Sequence, residues 1–242
     1  MSASDRNLIV RAATDYVESW LDGDPERMAS CLHPALAKRA VADPGSGSLD
    51  LDELTFESLV GRAAAGPKPY GRELGVTVFD VADGIASAKV VSEPFADLLH
   101  LARFDDRWLI VNVLWEDRPR ADAPGDPSGP RRVLDDYASS WFDRDVERAR
   151  GVYHPAFVER RDARPGDGLE LEEVTIEDVV TEVRQGPPDG TERRWDADVL
   201  SVDGDIASGR IGVGPWDLYL QLARFGDRWL VVNILYRTRE EP

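Results

Sequence analysis

The sequence predicts an α+β protein made of two tandem cone-shaped domains, each a curved, mainly antiparallel sheet with three helices. Three observations lead there. The 242-residue chain matches itself: "DYVESWLDGDPERMASCLHPALAKR" at 15–39 falls on "DYASSWFDRDVERARGVYHPAFVER" at 136–160, an offset of 121 positions. In each copy the apolar period is helical first and two-residue later. Between the copies lies "PRADAPGDPSGP" at 119–130, a Pro-, Gly- and Asp-rich stretch with no apolar period. The division is therefore copy 1 at 1–118, a linker at 119–130 and copy 2 at 131–242.

The elements follow in order. Ile9, Ala13, Tyr16, Val17 and Trp20 recur at helical spacing over 7–21. Asp24-Pro25 supplies an N-cap and a first-turn proline for a short second helix running through Leu32. His33-Pro34 stops it, because a residue before proline is pushed out of the α region. Short strands are expected at 35–41 and 47–53, around a "DPGSG" turn. Thr55 opens a third helix, with Leu54 and Leu59 spaced as a hydrophobic staple, and Gly66-Pro67 closes it. The period then becomes two, with strands near 73–81, 85–93, 95–104 and 107–115 and turns at Asp83-Gly84 and Asp105-Asp106. Copy 2 repeats this logic with Thr175, Val174, Val179 and Gly186-Pro187, then strands near 195–202, 205–214, 216–225 and 228–237. A curved sheet with helices on its concave side leaves a pocket between the two layers.

Composition narrows the function classes. With 46 acidic and 29 basic residues the formal net charge is −17, which repels phosphate backbones and anionic lipid surfaces, so neither nucleic acid nor membrane is an expected partner. No run of 18 apolar residues occurs, and "MSASDRNLIV" does not read as a secretory signal. The single cysteine, Cys31, cannot form an internal disulfide, so cytoplasm is the expected location. Three histidines, one cysteine and no clustered carboxylate signature point to no metal site, and no phosphate-binding Gly loop or nucleophile elbow calls for a cofactor.

The early phrase "SWLDGDPERMASCLHPALAKR" and the late phrase "LLHLARFDDRWLIVNVLWE" resemble the nuclear transport factor 2-like superfamily, and within it the lumazine-binding (SnoaL-like) family. Its neighbours there are polyketide cyclases and ketosteroid isomerases. The resemblance implies that the first helix lines a pocket, and that Tyr16 could donate to a developing oxyanion. It also implies pairing through the outer faces of the sheets, so that two fused copies form a pseudo-dimer within one chain, possible as a monomer.

Several side chains are candidates for work. His33 and His154 are either general bases at a pocket mouth or, the favoured reading, helix-terminating corners. His100 is the other candidate base. It shares a strand face with Leu98 and Ala102 and opposes Glu93 and Asp97, so a His–carboxylate pair from one strand is doubtful unless a bulge near Pro94 changes the parity. The candidate catalytic residues are thus His100, His33 and Tyr16. Candidate ligand-binding residues are Trp20, Phe95, Leu98 and Trp115 in copy 1. In copy 2 they are Tyr137, Trp141, His154, Trp216, Tyr219, Gln221 and Tyr236. Asn112 and Asn233 alternate with valines and are expected at an interface. Because Glu93, Asp97 and His100 correspond to Gly214, Leu218 and Gln221, the first pocket is expected to be the more polar. The second is expected to be flatter, more aromatic and, through Gly212 and Gly214, wider.

Two functions remain open. One is a small-molecule binder, not necessarily catalytic, with an aromatic-lined pocket in each cone. The other is an isomerase-, cyclase- or dehydratase-type enzyme using a lone His or carboxylate base in copy 1.

Overall fold

The structure, a computed structural model, describes residues 3–82, 84–117, 125–162 and 170–239. Asp83, and residues 119–124 of the stretch between the copies, lie outside the described residues. The chain forms two compact units, one for each copy, with the short turn Asp43–Asp50 grouped with the second.

In the first unit α1 (Ala3–Asp22) buries Ile9, Ala13, Tyr16 and Val17 along one stripe. The Asp24 side chain accepts from the Arg27 N–H and caps α2 (Pro25–Cys31). That helix stops at Cys31, so His33 already belongs to the strand β1 (Leu32–Val41). β1 is longer than its two-residue period suggests. It starts at Leu32, already extended, one residue ahead of the His33 that Pro34 keeps out of the α region. After β2 (Leu51–Leu54), Thr55 accepts from the Ser58 N–H at the start of α3 (Phe56–Ala64). Leu54 and Leu59 both join the core there. Then come β3 (Gly75–Ala82), β4 (Ile85–Val91), β5 (Phe95–Phe104) and β6 (Arg107–Asp117).

The sheet order is β2-β1-β6-β5-β4-β3. β1 runs parallel to β6 and all other neighbours are antiparallel. Helices cover the face carrying Ala86, Ala88, Leu99, Leu101, Ile110 and Val113, and with it they make the core.

The second unit repeats the order. It has α4 (Ser128–Asp143), α5 (Val146–Val152), β7 (Tyr153–Asp162), β8 (Leu171–Val174), α6 (Ile176–Gln185), β9 (Trp195–Asp203), β10 (Ile206–Val213), β11 (Trp216–Phe225) and β12 (Arg228–Thr238). Its sheet runs β8-β7-β12-β11-β10-β9. α4 begins inside the expected linker, with Ser128, Gly129 and Pro130 forming its first turn.

One irregularity decides which side chains reach the cavities. Between His100↔Asn112 and Leu101↔Ile110 the register slips by one, so Val111 is an extra residue on β6. Val232 is the same bulge in copy 2, between Gln221↔Asn233 and Leu222↔Val231. A bulge of one residue exchanges the faces of the strand beyond it. Ile110 before the bulge and Val113 and Trp115 after it therefore all meet the core. β5 itself pairs with β4 without a shift, so Asp97 and His100 stay on opposite faces.

Candidate functional site

Each copy has a cavity between its helices and the concave face of its sheet. In copy 1 it is lined by Tyr16 and Trp20 from α1, Lys38 from β1, Phe95 and Asp97 from β5, and Trp115 from β6, with Arg62 of α3 among its lining residues. The helical i, i+4 spacing of Tyr16 and Trp20 and the register Asp97↔Trp115 converge these side chains. Trp20 stacks on Tyr70 at 5.4 Å between centroids and leans on Phe95 at 5.6 Å, and Phe95 meets the edge of Trp115 at 5.0 Å. The wall is thus a chain of aromatic contacts.

Lys38 occupies this wall although it is 6% exposed. Its Nζ lies 2.6 Å from Asp97 Oδ1 and donates to Tyr16 Oη at 2.6 Å. Tyr16 Oη in turn donates to Asp97 Oδ1 at 3.0 Å. The ammonium also lies 4.9 Å from the Trp115 ring centroid. Burial lowers the Lys38 pKa, and the Asp97 charge opposes that shift. Burial, reinforced by Asp97, holds the Tyr16 phenol well above its ordinary range, so it stays a proton donor. The sequence reading placed Asp97 among the polar residues of this strand but missed Lys38.

Copy 2 keeps the scaffold and changes the chemistry. Its cavity is lined by Tyr137 and Trp141 of α4, Tyr153 and Glu159 of β7, Trp216 of β11 and Tyr236 of β12, with Glu182 of α6 also on the lining. At the 121-residue offset Glu159 replaces Lys38 and Leu218 replaces Asp97, and at an offset of 120 Glu182 replaces Arg62. Glu159 is 4% exposed, and its Oε2 has no hydrogen-bond partner among the described residues. Burial, and then the charge of Glu182, raises its pKa to about 8. Tyr137 and Tyr153 meet edge-on at 6.0 Å, and Trp141 meets Trp216 edge-on at 5.2 Å.

These placements correct several expectations. His100 does not line the cavity. It lies on the other sheet face, where Asn112 Nδ2 approaches its Nδ1 at 3.3 Å, and burial lowers its pKa to about 3. An imidazole so hard to protonate, across the sheet from the cavity, is not a base for it. Gln221 is its counterpart and accepts from Asn233 Nδ2 at 2.7 Å. Leu98 and Tyr219 share that outer face for the same parity reason, each 1% exposed, and line neither cavity. His33 and His154 are corner residues: their Nδ1 atoms accept from the Ala35 and Ala156 N–H groups at 3.1 and 3.0 Å. Their rings stack on Phe104 and Phe225, away from the cavities. Glu93 is exposed and accepts from the Gly71 N–H. The voids of the two cavities, taken out to their open mouths, are similar, about 530 and about 500 Å³. Gly214 is where Trp141 packs rather than where the cone opens: a Cβ there would stand 3.0 Å from the Trp141 ring. The second cavity carries a polar group of its own, Glu159 from β7, a strand whose difference between the copies the β5–β11 comparison does not reveal.

Tyr16, Trp20, Phe95, Trp115, Tyr137, Trp141, Trp216 and Tyr236 do come together as lining. Among the described residues no group of three or more His, Cys, Asp or Glu stands close enough to hold a metal, and no helix is long and apolar enough to cross a membrane.

No curated protein matches the chain. Similar solved structures include NTF2-like proteins of unknown function from Silicibacter pomeroyi, Shewanella baltica and Methylobacillus flagellatus. The first is 14% identical and covers 49% of this chain and 100% of its own, with a TM-score of 0.41. The second is 18% identical, covering 49% and 98%, with a TM-score of 0.41. The third is 20% identical, covering 49% and 96%, with a TM-score of 0.40. Residues 4–116 and again 129–237 match the sequence profile of the family described as "Putative lumazine-binding". Those two matches span most of the chain, which therefore belongs to that family and carries its domain twice.

Proposed function

We propose that the protein binds a small molecule in the cavity of each copy, and that the copy 1 cavity takes a planar heterocycle bearing carbonyl acceptors. The observation that carries this reading is an unmet donor. Trp115 lines the aromatic cavity, and its buried Nε1 has no hydrogen-bond partner among the described residues. A buried N–H left unpaired is costly, and a ligand acceptor meets the need. Lys38 beside it, with Arg62 on the same lining, adds positive charge, which also favours carbonyl or ring-nitrogen acceptors. Aromatic walls suit a planar ring system. The family description, which names lumazine, agrees with this class. The net charge of −17 supports a small-molecule partner over a polyanion.

The test is calorimetric titration of the intact chain with lumazine. Trp115→Phe removes the donor and keeps most of the ring, so affinity should fall about tenfold, the worth of one well-made buried hydrogen bond. His100→Gln, on the other sheet face, should leave affinity unchanged. Absence of binding, or binding indifferent to both Trp115→Phe and Lys38→Met, overturns the reading.

The Tyr16–Lys38–Asp97 cluster favours a second reading, an isomerase-, cyclase- or dehydratase-type enzyme. There Asp97 would take a proton while Tyr16 donates to a developing oxyanion. The two separate on chemistry: a binder returns its ligand unaltered in mass and isomeric form after long incubation, and an enzyme does not.

A further inference from the structure

We propose that the cavity of the second copy is a site for a small organic cation, an alkylammonium with an apolar body, held by Glu159 inside a cage of Tyr137, Trp141, Tyr153, Trp216 and Tyr236. This rests on the reading of the cavities as ligand sites and names the ligand class of one of them.

Three features converge. The cavity is walled by ring faces and edges from four different elements, the environment that attracts an ammonium through the ring quadrupole. One carboxyl group projects into that wall, 4% exposed, with an oxygen that nothing among the described residues satisfies. An ammonium N–H is the donor that this oxygen lacks. Finally, the position of the carboxyl is occupied by Lys38 in copy 1, and the charge on the third helix inverts with it, Arg62 becoming Glu182. The scaffold is shared, so the two cavities differ chiefly in the sign of charge that they accommodate.

The groups facing Glu159 define its response to pH. From α4 there is Tyr137, from β7 Tyr153, from β12 Tyr236 and from α6 Glu182. Arg161 is engaged elsewhere, by Glu172 and over the Tyr236 ring at 6.0 Å. No cation is therefore committed to Glu159, and burial keeps its pKa near 8. At neutral pH the empty cavity holds a carboxylic acid. An arriving R–NH3+ stabilises the carboxylate, and the carboxyl proton leaves to solvent, so one proton is released for each cation bound. Affinity then rises as pH climbs toward about 8 and levels off above it.

The experiment uses the intact chain with phenethylammonium and its neutral counterpart 2-phenylethanol. A primary ammonium titrates near ~10.4 and stays charged throughout such a titration. Phenethylammonium is expected to bind at least tenfold tighter than the alcohol, with proton release seen as a buffer-dependent heat. Glu159→Gln should abolish that preference and the proton release while leaving the weak alcohol binding as it was. Should that variant not fold, Glu182→Gln at the α6 side of the cavity lining replaces it, with a two- to threefold loss expected for the ammonium alone. Equal binding of the two probes, stronger binding of the alcohol, or ammonium binding with neither proton release nor sensitivity to either variant overturns the proposal. Lumazine binding in copy 1 with no ammonium binding defeats this inference alone, whereas failure of both ligands defeats the functional reading beneath it.

Discussion

Lys38 and Glu159 occupy equivalent places in the two copies, and each is buried against aromatic rings. Lys38 is tolerated there because Asp97 and Tyr16 accept hydrogen bonds from its ammonium. Glu159 is tolerated because it can remain protonated. A lysine in "ALAKRAV" reads as a solvated residue of a short strand, since long charged side chains seldom go inside. The available signal was the charge inversion at a matched position of the repeat, which a search for histidines passes over. His100 attracted attention for the opposite reason, as a titratable group in a buried strand, and burial is what disables it. Its folded pKa of about 3 lies below the unfolded value of about 6.5. The unfolded chain therefore takes up the proton first. Stability is complete above about pH 6.5 and is lost as pH falls from there toward 3, by a few kcal/mol in order of magnitude. His100→Gln installs the side chain that copy 2 already has opposite Asn233. It should flatten the loss of stability across that window in an acid titration followed by circular dichroism. An unaltered acid midpoint would show that His100 is not buried as neutral imidazole.

At the scale of elements, the starts of the second and third helix of each copy were legible because their caps are local. Asp24, Thr55, Asp145 and Thr175 each accept from the backbone of the first turn that follows. The parallel contact of β1 with β6 was not legible, because a non-neighbouring strand leaves no local mark. The bulges at Val111 and Val232 were also hidden, since "IVNVLW" and "VVNILY" read as plain alternation. They matter because they place Ile110 and Val231 on the same faces as Trp115 and Tyr236, while Asn112 and Asn233 stay on the far faces. The β10–β11 hairpin gives a more direct test. Val213 pairs with Trp216, so Gly214 takes the first position of a two-residue turn, with φ of +51°. Gly214→Ala adds a Cβ to that left-handed backbone and presses it on Trp141. The cost should be about 1–2 kcal/mol, seen as a Tm lowered by several degrees in calorimetry. An unchanged Tm would mean that neither the turn nor the Trp141 contact is as tight as described.

For the whole molecule, duplication made the fold readable: the element order inferred in one copy recurs in the other among the described residues, with α4 starting at Ser128, inside the stretch expected as linker. The site was only half readable, because aromatic lining follows helical and strand periods whereas Lys38 and Glu159 come from β1 and β7, whose place beside β6 and β12 leaves no local mark. What duplication leaves behind is a pair of cavities with one architecture and opposed chemistry. A Lys–Asp–Tyr cluster and an indole N–H with no partner among the described residues line one, and the buried Glu159 carboxyl, with Glu182 near it, lines the other among tyrosines and tryptophans. The measurement that tests this most directly is a calorimetric titration of the intact chain with lumazine, performed alone and again after saturation with phenethylammonium. Two independent cavities predict one equivalent of each ligand and the same lumazine affinity in both titrations. Displacement of one ligand by the other, or binding of both lost through Trp115→Phe alone, would contradict the account.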